Sequence, residues 1–154
     1  LGLETAPEEP EATEPTSDLS VSEVQSMLQE MDPYDFEDLI GDLLKHLGYT
    51  GARVSQRSAD EGIDVLAIKN TRDGHHRVAV QCKRYSNNVG VKVAQELGGV
   101  VAADASIDKG LLVTTGGLTL QCREYIDRVA ELEAIEGLDL ARRVKDYGLR
   151  IPGN

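Results

Sequence analysis

The sequence predicts an α/β fold, a central mixed β-sheet flanked by helices. Three observations predict it. Apolar residues recur at helical intervals over residues 20–47, the spacing drops to two between residues 53 and 83, and helical spacing returns from Val91. That last stretch is interrupted by the continuous apolar run Leu111-Leu112-Val113, the pattern of a strand covered on both faces. The resulting order, α-α-β-β-β-α-β-α-α, is met by helices packed against a sheet.

Each element has a local reason. Residues 1–19 are rich in Glu, Pro, Thr and Ala and bury too little apolar surface to offset their ordering entropy, so they read as a disordered acidic tail or linker. Residues 20–31 read as a short N-terminal helix: Ser20 and Glu23 have capping-box spacing, and Val21, Val24, Leu28 and Met31 lie at helical intervals. A larger domain, 32–154, follows. Asp32-Pro33 opens its first helix as N-cap and first helical residue. Phe36, Leu39, Ile40, Leu43, Leu44 and Leu47 form one stripe, and Gly48 stops the helix. Arg53-Val54-Ser55 is a short strand. Ile63–Ile68 and Arg77–Lys83 are two more, joined by a turn holding Asn70, Asp73 and Gly74. Val91–Ala105 is a helix with Val93, Leu97, Val100 and Val101 on one face. Gly98-Gly99 within it costs roughly 1 kcal/mol per residue against Ala, which implies a close backbone approach. Leu118, Cys122, Tyr125, Ile126, Val129 and Leu132 form another helical stripe, and Leu138–Tyr147 is a last helix closed by Gly148.

Composition narrows the function classes. The chain has 154 residues, the size of one ordinary domain. It has no apolar run long enough for a membrane span and no signal peptide. Two cysteines, Cys82 and Cys122, exclude a disulfide framework and a cysteine zinc site, and place the protein in a reducing, cytoplasmic compartment. The chain opens on Leu1 rather than Met, as a piece cut from a longer protein would. The net charge of −11 is unevenly spread. Residues 1–32 hold nine acids and no Lys or Arg, whereas residues 45–92 hold nine bases against four acids. The acidity therefore does not exclude a polyanionic partner for the body of the chain.

One constellation carries chemistry. On a strand, Gln81 and Lys83 share a face, while Val78, Val80 and Cys82 point to the other and suit a core. In the preceding strand Asp64 lies opposite Ile63, Val65 and Ala67. A turn centred on Asp73-Gly74 sets Asp64 against Lys83, and one centred a residue earlier sets it against Gln81. Either register brings the three within cross-strand reach. A carboxylate, an amide oxygen and the Cys82 backbone carbonyl are hard ligands that suit Mg²⁺, with Mn²⁺ as a substitute. Lys83 beside them can orient a water or stabilise phosphate charge. Glu37, at the edge of the Phe36/Leu44 stripe, is placed to point along the sheet toward the same site.

These residues resemble the Mrr-like restriction endonuclease family of the PD-(D/E)xK nuclease superfamily, in its Gln-x-Lys variant. The resemblance runs from about Tyr34 to Leu149. It rests on Phe36-Glu37-Asp38-Leu39 with Leu47-Gly48-Tyr49, on Asp60-Glu61-Gly62-Ile63-Asp64, and on Gln81-Cys82-Lys83-Arg84-Tyr85. Leu112-Val113-Thr114-Thr115 with Leu118-Thr119, and Ile135-Glu136-Gly137 with Leu140, complete it. It implies a restriction-endonuclease-like core, metal ligation by Asp64 and Gln81, a catalytic Lys83, an auxiliary acid Glu37, and metal-dependent hydrolysis of DNA phosphodiesters in defence. Two positions depart from the pattern: Glu61 replaces the usual Gly, and Gly116 stands where the family often has Ser.

Plainer readings stand beside these. Glu37 is equally a solvated first-turn acid favoured by the helix dipole. His75-His76 are exposed turn residues, since neighbours on a strand point apart. Cys82 is a core residue rather than a nucleophile. Thr114-Thr115-Gly116-Gly117 either cradles a phosphate by its amides or is an ordinary loop. The bases of residues 45–92, among them Arg57, Arg84 and Lys92, form a DNA-backbone face or scattered surface charge. The expected partners are DNA, a second copy of the chain for double-strand cleavage, and a fused or associated sensor domain ahead of the acidic segment. The alternative function is a non-catalytic DNA-binding or assembly module that keeps the nuclease fold.

Overall fold

The structure is a computed structural model that describes residues 13–14, 16–57 and 62–152. Its centre is a five-stranded mixed sheet in the order β2-β3-β4-β5-β6. The strands are β2 (Tyr49–Arg57), β3 (Gly62–Thr71), β4 (Gly74–Lys83), β5 (Lys109–Thr114) and β6 (Leu132–Ile135). β2, β3 and β4 are antiparallel neighbours, and β4, β5 and β6 are parallel. The helices are α1 (Val21–Glu30), α2 (Pro33–His46), α3 (Val91–Ala103), α4 (Leu120–Arg128) and α5 (Gly137–Asp146). Among the described residues no helix is long and apolar enough to cross a membrane.

Strand alternation feeds two cores. Val65, Ala67, Val78, Val80, Cys82, Leu111 and Val113 pack against α1, α2 and α5. Ala79 and Leu112, with Leu66 at the margin, pack against α3 and α4 on the opposite face. The sheet is thus covered on both sides, the expected α/β architecture.

The caps are those expected. Ser20 and Glu23 form a reciprocal capping box on α1, and the Asp32 carboxylate accepts the Tyr34 and Asp35 amides at the start of α2. Gly48 and Gly148 take positive φ beyond α2 and α5. The close approach expected at Gly98-Gly99 is real for Gly98, where a Cβ would lie 2.7 Å from the Tyr125 hydroxyl. Gly99 has open space instead.

Several expectations are corrected. The short strand at residues 53–55 is nine residues long. Gly51 (φ 61°) and two bulges break its alternation and hide it from period counting. Leu132 does not extend the α4 stripe: the helix ends at Arg128, and Leu132 opens β6, whose side chain meets the same core. Val100, expected on the buried face of α3, is 47% exposed; Ala94 and Leu97 fill that core.

Residues 13–14 and 16–19, expected within a disordered tail, are built onto the domain. β1 (Thr13–Glu14) pairs with β7 (Ile151–Pro152), and the buried Thr16 hydroxyl donates to the Leu149 carbonyl at 3.1 Å. Composition counts apolar area and cannot see main-chain pairing. The rest of that segment lies outside the described residues. α1 is no appendage either: Val24 and Leu28 are fully buried in the larger core.

Candidate active site

The β3–β4 hairpin sets the site. Its pairing places Asp64 opposite Gln81 and Gly62 opposite Lys83, the second of the two expected registers. Arg72 and Asp73 form the loop, and the Thr71 hydroxyl closes it by accepting the Asp73 amide at 3.2 Å. Gly74 (φ 122°) then begins β4. Asp64, Gln81 and Lys83 share the sheet face that carries Leu66 and Ala79, and all three are partly buried. The Gln81 amide nitrogen donates to Asp64 Oδ1 at 3.3 Å. Lys83 Nζ stands 5.9 Å from the Tyr85 ring centre, within cation–π range.

Gln81 Oε1 is the informative atom. It is buried and has no hydrogen-bond partner among the described residues. Leaving such an oxygen unpartnered costs about 1–3 kcal/mol, which a cation ligated there would offset. The atom at 3.3 Å from Asp64 Oδ1 is the amide nitrogen, so Asp64 and Gln81 Oε1 come to share one cation when the amide turns over about its terminal torsion. The residues present therefore fit a divalent cation. Among the described residues no group of three His, Cys, Asp or Glu side chains gathers to hold a metal. The expected set contains only one of these, Asp64, so any cation here would keep much of its water shell.

Cys82, between Gln81 and Lys83, faces the opposite core and is fully buried. Burial, and secondarily the Asp64 charge, push its thiol well above the ordinary range, so it is no nucleophile. Glu37 lies near the start of α2 and lines an open cleft with Arg53, Val54 and Val65. This is the side of the sheet from which Asp64 points away. The structure thus joins Asp64, Gln81 and Lys83 and sets Glu37 across the sheet from them.

The expected phosphate cradle at residues 114–117 is largely spent on the fold. The Thr115 amide donates to the Lys83 carbonyl, the Gly116 amide to the Thr114 hydroxyl, and the Leu118 amide to Glu136. Gly116 is required there because a Cβ would collide with the Asn87 carbonyl and come within 3.0 Å of the Tyr85 carbonyl. The basic middle segment does not form one face. Lys69, Arg72 and Arg77 lie toward the hairpin tip, where Lys69 donates to the Leu47 carbonyl that ends α2. Lys83, Arg84 and the exposed Lys92 lie at the other end. Arg84 is engaged within the fold, its Nη1 donating to the Gln29 carbonyl at 2.9 Å. Arg57 ends β2 beside Ile63, and its side chain, like Asp60 and Glu61, lies outside the described residues. His75 and His76 sit at the tip, with His75 bonded to Asn70, away from the site.

Sequence reasoning missed Gln25 and Gln29 of α1. Both amides donate to the Thr115 carbonyl, at 2.9 and 3.1 Å. The available signal was two glutamines four apart, flanking the buried Val24/Leu28 stripe.

Comparison with known proteins bears on the family and the fold. The chain is 34% identical over 124 residues to the type IV methyl-directed restriction enzyme EcoKMrr of Escherichia coli K12, covering 78% of the chain and 40% of that protein. The DNA modification-dependent restriction endonuclease AspBHI superposes with a TM-score of 0.60 at 19% identity, over 94% of this chain and 41% of that one. The chain thus spans about 40% of the length of each. The family model Mrr_cat, restriction endonuclease, matches residues 28–144, and the chain belongs to that family.

Proposed function

We propose that the chain is the cleavage domain of a divalent-metal-dependent DNA endonuclease of the restriction type, acting in the cytoplasm on foreign or modified DNA. The observation that carries the reading is the buried, unpartnered Gln81 Oε1 beside the Asp64 carboxylate, with Lys83 two residues along on the same face. A module that only bound DNA would have no use for that set. Family membership and the methyl-directed EcoKMrr relative support the substrate class.

The residues divide the work. Asp64, the Gln81 amide oxygen and the Cys82 carbonyl hold the cation, Mg²⁺ or its substitute Mn²⁺. When bound, the ion supplies Lewis-acid polarisation and a water of lowered pKa. The Lys83 ammonium orients the attacking water and stabilises charge that develops on the phosphate. Lys92, exposed near the Lys83 end of the sheet, faces the DNA backbone, Arg57 is the further expected contact, and Arg84 is committed to the Gln29 carbonyl instead. One trio cuts one strand, so double-strand cleavage takes two copies. Target choice comes from a sensor domain outside this chain, because the trio reads no base.

Supercoiled plasmid, incubated with Mg²⁺, Mn²⁺ or chelator, tests the reading. Metal-dependent nicking or linearisation is expected, reduced by at least ~100-fold in Asp64→Ala and Lys83→Ala. Cleavage that survives both substitutions, or persists in chelator, would sink it. Absence of cleavage together with no Mg²⁺ binding dependent on Asp64 would favour the non-catalytic module.

A further inference from the structure

We infer that Gln25 and Gln29 are positioning residues for Lys83, acting through the backbone of Thr115. The inference rests on the reading of Lys83 as the catalytic lysine. Lys83 is the last residue of β4, and its pairing with Thr114 is the last of the β4–β5 ladder. A chain leaving a sheet at that point frays unless something holds it downstream. Thr115 provides the hold. Its amide donates to the Lys83 carbonyl at 3.1 Å, and its hydroxyl donates to the Tyr85 carbonyl at 2.8 Å. It therefore grips the main chain on both sides of Arg84.

Thr115 is itself fixed from α1. The Gln25 and Gln29 amides converge on its carbonyl, using both acceptor positions of one oxygen. Four residues apart, they project from one face of the helix. A return contact closes the circuit: Arg84 donates to the Gln29 carbonyl, one of the last carbonyls of α1, which lack intrahelical donors. The residue that follows Lys83 and the residue bonded to it are both tied to the same helical turn.

The surroundings make room for this contact. A Cβ on Gly137 would lie 2.5 Å from Gln25 Nε2 and 2.8 Å from the Gly116 carbonyl. A side chain there would push Gln25 off Thr115. The seating of α1 does not depend on the two amides, since Val24 and Leu28 are fully buried on the neighbouring face. Gln25 also lies ahead of the segment that matches the family, which begins at residue 28. One of the strap's two glutamines thus comes from chain ahead of the matched segment, and Gln29 from within it.

The test uses Gln25→Met, Gln29→Met and the double variant, which keep the side-chain stem and remove the donor. Each single variant leaves one donor on the carbonyl and should cleave within ~2-fold of the parent. The double variant should lose about 10-fold or more in single-turnover rate while its DNA dissociation constant moves less than ~2-fold. Restoring either glutamine should restore the rate. Two independent losses that simply multiply, or a loss that follows DNA affinity or melting temperature, would overturn the inference and leave an ordinary packing role.

A second readout needs no activity. Hydrogen exchange of the amides at residues 83–86 should speed up in the double variant and in neither single. Unchanged exchange would overturn the strap even if cleavage fell. If the parent shows neither metal-dependent cleavage nor Mg²⁺ binding that depends on Asp64, the nuclease reading fails and with it the catalytic meaning of the strap. Exchange then still decides whether Gln25 and Gln29 hold the end of β4.

Discussion

Gln81 occupies a position where an acid would also serve the chemistry, and the choice has electrostatic consequences. As an amide it donates to Asp64 and leaves the pair with one negative charge. Gln81→Glu would place two carboxylates about 3.3 Å apart in a partly buried site. Without a cation, like charges at that distance raise the pKa of one carboxyl and destabilise the fold. The variant is expected to lose about 1–2 kcal/mol of stability at pH 7 in chelator, and to regain it with Mg²⁺. Urea titrations with and without the ion measure this. Equal stability in both would mean that the two side chains do not share one cation site. This pair was legible in the sequence because strand alternation needs only residue parity. The register was not, because a Gly in positive φ after Asp73 reads as the centre of the turn. Here it opens β4, and the Thr71 hydroxyl closes a loop of Arg72 and Asp73 instead.

At the scale of elements, α1 is the piece whose stability bears most on the site. Its start depends on one reciprocal cap. The Ser20 hydroxyl accepts the Glu23 amide at 3.1 Å, and the Ser20 amide donates to the Glu23 carboxylate at 2.8 Å. The Ser20 amide, and secondarily the Ser20 hydroxyl, hold the Glu23 carboxyl below its ordinary 4.5. A depressed carboxyl contributes stability above its unfolded value and loses it as pH falls through the folded one. The cap should therefore be intact at neutral pH and fade in acid below about 4.5. Ser20→Ala is expected to cost about 1 kcal/mol at pH 7, and less at pH 3. Thermal melts at the two pH values check both. A cost that did not shrink in acid would mean that the Ser20 hydroxyl acts independently of the Glu23 carboxyl. Capping boxes are local, which is why this one could be read from residues three apart. β6 could not. Leu132 continues the helical spacing of the preceding stripe, and only the β5 ladder and the Leu97/Leu132 packing around Gly110 make it a strand.

For the whole molecule, chain direction decides where charge is felt. β4, β5 and β6 are parallel, and α3, α4 and α5 each start just beyond the end of one of them. Three helix N-termini, with their partial positive charge, therefore open at the end of the sheet that carries Lys83. The arrangement favours a polyanion at that end although the chain as a whole carries −11. The sequence showed a basic segment over residues 45–92 but could not show that folding splits it. The hairpin carries Lys69, Arg72 and Arg77 toward the tip and Lys83 toward the site, where Lys92 opens α3. Charge reversal at the two ends should then differ. Lys92→Glu, exposed beside the α3 N-terminus, is expected to weaken duplex binding about 5-fold or more at ~0.1 M salt and to flatten its salt dependence by about two charges. Arg72→Glu makes the same change in net charge but lies at the hairpin tip, and binding should stay within ~2-fold. Fluorescence anisotropy with a labelled duplex across a salt series distinguishes them. If both reversals weaken binding alike, net charge rather than placement governs association, and the DNA does not approach from the Lys83 end.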